Sequence, residues 1–130
     1  MSSPADRPFE QVVLVVDDEE LVCRYTARIL ANAGFRALVA HDGEQAIALL
    51  TSLGNLVWLV VSDIQMPRMS GVELAGMIAI RRPGLPVLLV SGQGVPPQSY
   101  EHRFLRKPFT PDDFVATVRG FLPPLPRHIG

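Results

Sequence analysis

Apolar runs alternate along the chain with stretches whose apolar positions recur every three or four residues. Val12–Val16 is a continuous, mostly β-branched run, the pattern of a parallel strand covered on both faces. From Glu20 to Ala33, apolar positions at Val22, Tyr25, Ile29, Leu30 and Ala33 predict a helix that Gly34 terminates. Arg36–Ala40 reads as a short second strand. Asp42 caps a second helix with Gln45 reaching back, and Ala46, Leu49, Leu50 and Leu53 form its buried stripe before Gly54 ends it.

Leu56–Ser62 is the third strand. Ser70 with Glu73 predicts a capping box, followed by Leu74, Met77 and Ile78 and stopped by Pro83-Gly84. Leu85–Val90 is the fourth strand, with Pro86 tolerated near its start. His102–Arg106 is a fifth whose charges suit a sheet edge. Thr110 caps the last helix, Pro111 takes its first position, and Phe114, Val115, Val118, Phe121 and Leu122 face inward. This alternation predicts an α/β fold: a flavodoxin-like, doubly wound, five-stranded parallel sheet in the order 2-1-3-4-5 with helices on both faces.

The chain has 130 residues, 48% of them hydrophobic and 19% charged, which suits one domain with its own core. The expected division is a flexible N-terminus at 1–9, the domain at 10–122, and a Pro-rich tail at 123–130. Net charge is -1 with no Lys/Arg block, so nucleic-acid binding through phosphate neutralisation has no electrostatic support. The single cysteine, Cys23, reads as a small apolar filler and rules out an internal disulfide. There is no signal-peptide core near Met1 and no apolar run of the ~20 residues a membrane span needs. The expectation is a cytoplasmic protein without membrane contact.

Chemistry concentrates where the apolar runs stop. Asp17-Asp18 closes the first strand and Asp63 the third, and in the 2-1-3-4-5 order these strands are neighbours. Ser91 after strand four and Lys107 after strand five fall on the same edge. Three crowded carboxylates raise one another's pKa, a conflict that a hard divalent cation such as Mg²⁺ resolves. Lys107 offers a point charge, the Ser91 hydroxyl a hydrogen bond, and Gly92 room for a bulky anion. A carboxylate nucleophile, a metal and a lysine are the parts of phosphoryl transfer through an aspartyl phosphate. Singly each residue has a bland account: acids at a helix N-terminus, an Asx turn, a Ser-Gly turn, a solvated lysine. Only their shared sheet edge argues for a site.

Val16-Asp17-Asp18-Glu19, Asp63-Ile64-Gln65-Met66-Pro67-Arg68-Met69-Ser70-Gly71, Val90-Ser91-Gly92 and Leu105-Arg106-Lys107-Pro108-Phe109 resemble the receiver domain of two-component response regulators. The resemblance spans about residues 10–122. It implies that Asp63 accepts phosphate from a phosphohistidine on a sensor histidine kinase or phosphotransfer protein, switching the binding of a downstream protein. It further implies Mg²⁺ ligated by Asp18, Asp63 and the Gln65 backbone carbonyl, with Asp17 acting through water. Ser91 would swing onto the phosphoryl group, Lys107 would pair with it, and Phe104 would be the aromatic that rotates on switching. Gln65 and Gln93 fall at positions that tune phosphate loss in the family. The ending around Lys107-Pro108-Phe109 also resembles receivers fused to hybrid histidine kinases.

One segment departs from the family pattern. Receivers carry a helix between strands four and five, but Gly92, Gly94, Pro96 and Pro97 crowd the interval from Gly92 to Glu101, so that helix is expected to be shortened or absent. This motivates an alternative, a receiver-fold interaction module that binds partners independently of phosphorylation. An enzymatic rival, a haloacid-dehalogenase-like phosphatase, wants Asp-x-Asp with the nucleophile on the first strand. Here the first-strand acids are adjacent, and Gln65 stands where a second acid would follow Asp63. The expectation is a non-enzymatic receiver.

Overall fold

Every residue of β1 (Val12–Val16) is buried. Successive side chains on a strand point to opposite faces, so an all-apolar strand has to be covered on both. The computed structural model, which describes residues 11–92 and 103–122, covers it that way. Leu14 and Val16 enter one layer with Val60 and Leu89, roofed by α2 (Gly43–Leu53) and α3 (Gly71–Arg81). Val13 and Val15 enter the other with Leu59, Val61 and Leu88, roofed by α1 (Glu20–Asn32) and α4 (Pro111–Arg119). The remaining strands are β2 (Arg36–Ala40), β3 (Val57–Asp63), β4 (Val87–Ser91) and β5 (Phe104–Arg106). All pairings are parallel and the order is β2-β1-β3-β4-β5, as the alternating pattern predicts.

Local chemistry sets the helix ends. Gly34, at φ +95°, closes α1: its N–H donates to Ala31 (3.0 Å) and that of Phe35 to Leu30 (2.9 Å), the paired bonds of a Schellman stop. Asp42 caps α2 by accepting from the Gln45 amide (2.7 Å), while Gln45 Oε1 accepts from the His41 amide (2.6 Å), one residue earlier than a regular capping box. Ser70 and Glu73 form the reciprocal box on α3, at 3.1 and 3.0 Å. Thr110 accepts from the Asp113 amide (3.0 Å) at the start of α4, with Pro111 in the first turn.

The structure shifts several expected boundaries. β3 starts at Val57, because Gly54–Leu56 forms a 3₁₀ turn, and it runs through Asp63. β4 starts at Val87: the Pro86 carbonyl accepts from Val60 (3.1 Å), but Pro86 has no N–H to give. Its end extends through Ser91, which is fully buried. The inward face of α1 is turned about one residue from the expected stripe. Cys23 and Leu30 form its buried centre, and Tyr25 is 59% exposed. α4 stops at Arg119, leaving Phe121 and Leu122 to pack on the core from the turn beyond it. The expectations for 1–9, for the interval from Gly92 to Glu101 and its helix, for Gln93, for the His102 start of strand five, and for 123–130 lie wholly or largely outside the described residues.

One glycine couples the fold to the strand-end acid. The Gly71 N–H donates to the Ile64 carbonyl (2.9 Å), and a Cβ at Gly71 would collide with the Asp63 carbonyl oxygen. Backbone cannot yield as a flexible side chain would. Gly71→Ala is therefore expected to destabilise the domain by about 1–3 kcal/mol, read by urea denaturation; wild-type stability would refute the close approach.

Candidate functional site

The register of the sheet assembles the site. Val16 pairs with Ser62, so Asp17 and Asp63 leave adjacent strands at the same level, and Asp63 in turn pairs with Val90 on β4. Hydrogen bonds carry the ladder on past the strand ends: Asp17 N–H donates to Ala40 (3.1 Å), Ile64 to Val90 (3.0 Å) and Lys107 to Ser91 (2.9 Å). One side-chain oxygen from each of Asp17, Asp18 and Asp63 can be chosen so that all three lie within 4.8 Å of one another. Asp17 is buried, Asp63 half-buried and Asp18 exposed. The acids converge as the order 2-1-3-4-5 requires.

Burial raises the Asp17 carboxyl above its ordinary range. The Glu19 amide, which donates to Asp17 Oδ1 at 2.9 Å, and the Lys107 charge oppose it, while Asp18 and Glu19 add to it. Burial likewise raises Asp63; Lys107 pulls it down, Asp17 and Asp18 push it up, and the Ile64 amide pulls it down. Among the described residues Lys107 forms no ion pair at contact distance, so it acts on the acids through space. All the donors here are hard oxygens held close together, and their mutual repulsion rewards a divalent cation. The cluster fits Mg²⁺.

Ser91 lies at the end of β4, and its hydroxyl donates to Gln65 Oε1 at 2.7 Å. A Cβ at Gly92 would lie 3.8 Å from Lys107 Cβ, an ordinary contact, so packing does not demand glycine there. Phe104 is half-buried on β5, paired with Leu89, and packs on the α2/α3 layer. The Lys107-Pro108 peptide is cis.

Four features are not visible in the residue pattern. Arg68 takes a positive φ of 69° and bonds Asp42 at 3.2 Å, tying the β3–α3 loop to the start of α2. Met69 packs against Gly43 in the same place. A mainly apolar cleft of about 300 Å³ opens beside Asp63 and Lys107, running between α1 and α4 past Tyr25, Ile29 and Phe109. Its signal was hidden because the helical period placed Tyr25 inside the core. The fourth feature, the side-chain bond of Gln65, has no sequence signal beyond a polar residue two past Asp63.

The family model of the response regulator receiver domain matches residues 13–119. The chain belongs to that family. Its sequence is 32% identical over 116 residues to sensor kinase CckA of Brucella abortus, covering 85% of this chain and 12% of that one. It is 31% identical to transcriptional regulatory protein CpxR of Klebsiella pneumoniae, over 85% of this chain and 48% of that one. The chain thus spans half or less of the length of these curated relatives. Among solved structures, the receiver domain of the hybrid histidine kinase CckA superposes with a TM-score of 0.73 at 30% identity, covering 86% of this chain and 99% of that one. Chemotaxis protein CheY4 of Vibrio cholerae gives 0.76 at 26%, covering 86% and 98%. Membership of this family sets aside the haloacid-dehalogenase-like reading.

The raised carboxyls carry a pH signature. An acid whose pKa is higher folded than unfolded binds more protons in the folded state, so stability falls as pH rises from the ordinary carboxylate range through the raised value. The penalty is complete above that window and absent below it. Without divalent metal, Asp17→Asn, which keeps the acceptor for Glu19, should raise Tm by a few degrees at pH 7. The gain should vanish as pH falls into the ordinary carboxylate range. A gain that persists unchanged at low pH would mean that charge burial is not its source.

Proposed function

We propose that this receiver is a phosphoacceptor of a two-component phosphorelay, with Asp63 as the accepting carboxylate. The observation that carries the reading is the convergence of Asp17, Asp18 and Asp63 within 4.8 Å, with the Lys107 charge acting on Asp17 and Asp63. An Asp63 carboxylate oxygen attacks the phosphorus of a phosphohistidine. The P–N bond breaks, and its electron pair leaves on the imidazole nitrogen. Mg²⁺, when bound, supplies charge neutralisation for the incoming phosphoryl oxygens. Asp18, Asp63 and the Gln65 backbone carbonyl would hold it directly, and Asp17 through water.

The other roles follow from position. Lys107 neutralises a phosphoryl oxygen, the Ser91 hydroxyl donates to another, and Phe104 on the neighbouring strand responds to the move of Ser91. The donor is a sensor histidine kinase or a phosphotransfer protein, and the output is the binding of a downstream protein. We take residues 10–122 as the functional unit, working in the cytoplasm; no described helix is long and apolar enough to cross a membrane. The chain, at net charge -1, has no run of Lys and Arg in its sequence with which to grip nucleic acid. Nothing among the described residues favours the phosphate-independent alternative.

Incubation with acetyl phosphate and Mg²⁺ should give a single modified species on phosphate-affinity electrophoresis. Asp63→Asn should abolish it, and removal of Mg²⁺ with EDTA should slow it by about a hundredfold or more, the order of one lost charge-stabilising contact. Labelling of the Asn variant at wild-type level would refute Asp63 as acceptor.

A further inference from the structure

The Ser91 hydroxyl carries one proton and can give it to one acceptor at a time. In this structure Gln65 Oε1 lies 2.7 Å away, in position to take it. Both partners are set by backbone that has little room to move. Ser91 ends β4, its carbonyl accepts from Lys107 (2.9 Å), and it is fully buried, so re-aiming its hydroxyl means rotation about χ1 between staggered wells. Gln65 follows Asp63 and Ile64 in a loop pinned by the Gly71-to-Ile64 bond (2.9 Å) and by the contact of Gly71 with the Asp63 carbonyl. The same loop therefore carries the accepting carboxylate and the group that engages the Ser91 proton.

We infer that the Gln65 side chain is a positioning residue that latches Ser91 away from an anion at Asp63, setting the switching equilibrium through competition for one hydroxyl proton. The inference rests on the phosphoacceptor reading and adds to it a specific energetic role for Gln65. For Ser91 to donate to a phosphoryl oxygen, the bond to Gln65 breaks and the exposed amide returns to water. A neutral bond of this kind is worth about two- to tenfold in an equilibrium constant. Because Gln65 is exposed and Ser91 buried, the latch is released on the solvent side without opening the core. The bias acts on how readily the anion-bound state forms, apart from how fast a phosphoryl group is later hydrolysed.

The test is a beryllofluoride titration in the presence of Mg²⁺, read by ¹⁹F NMR, across Gln65→Met, Ser91→Ala and the double variant. Methionine keeps the length of glutamine and removes the acceptor. Gln65→Met should bind about two- to tenfold more tightly than wild type, whereas in the Ser91→Ala background the same change should leave the affinity unaltered. In wild-type protein without metal or anion, the Ser91 hydroxyl proton should exchange slowly and show a cross-peak to the Gln65 side-chain amide, a readout independent of switching. Equal or weaker binding by Gln65→Met overturns the latch, as does tightening that survives Ser91→Ala, or absence of the cross-peak. Failure of wild type to bind beryllofluoride overturns the phosphoacceptor reading, and the latch with it; wild-type binding with no Gln65 effect removes the latch alone.

Discussion

The whole arrangement depends on one pairing, β1 against β3 in parallel, with Val16 opposite Ser62. A slip of one residue would exchange the faces of every side chain on β1 and send Leu14 and Val16 into the layer built for Val13 and Val15. Burial on both faces forbids that slip, so the apolar core holds the register. The register in turn fixes how far Asp17 projects relative to Asp63. The acids are thus placed by the apolar strand residues that precede them and pair beside them. The hydrophobic effect does the positioning, and electrostatics bears the consequence.

That consequence is a cluster of like charges pushed part of the way out of water. Asp17 and Asp63 are both raised chiefly by burial, and the opposing pull of Lys107 is exerted without contact. In a site so arranged the mutual repulsion of the acids is what a divalent cation would offset. The surrounding loop supplies the stiffness the acids lack: Arg68 bonds Asp42, and Gly71 packs on the backbone of Asp63.

Much of this was legible in the residues. Continuous β-branched runs, two capping pairs and the Thr110-Pro111 start predicted the elements and the sheet order, because these signals are local and each has its own mechanism. The convergence of Asp17, Asp18 and Asp63 followed from topology. What was misread depended on tertiary context. Tyr25 has the right helical spacing for the core, yet the packed face of α1 is centred on Cys23 and Leu30, and spacing alone does not fix that rotation. Pro86 looked like a strand residue until the ladder began one position later. The family resemblance points to the Gln65 backbone carbonyl, while the contact of its side chain with Ser91 joins a loop to a strand end distant in sequence.

Cys23 has a practical consequence. Its thiol is fully buried, lies 3.2 Å from the Asp17 carbonyl oxygen, and is pushed up to about 11 by burial and the neighbouring acids. Near neutral pH only on the order of one molecule in ten thousand would carry the reactive thiolate, even before access is considered. The single cysteine of the sequence is therefore expected to react slowly with alkylating probes. A cysteine introduced on an exposed helix face would carry a fluorophore or spin label alone, with the native sulfur left in place beneath the acidic edge.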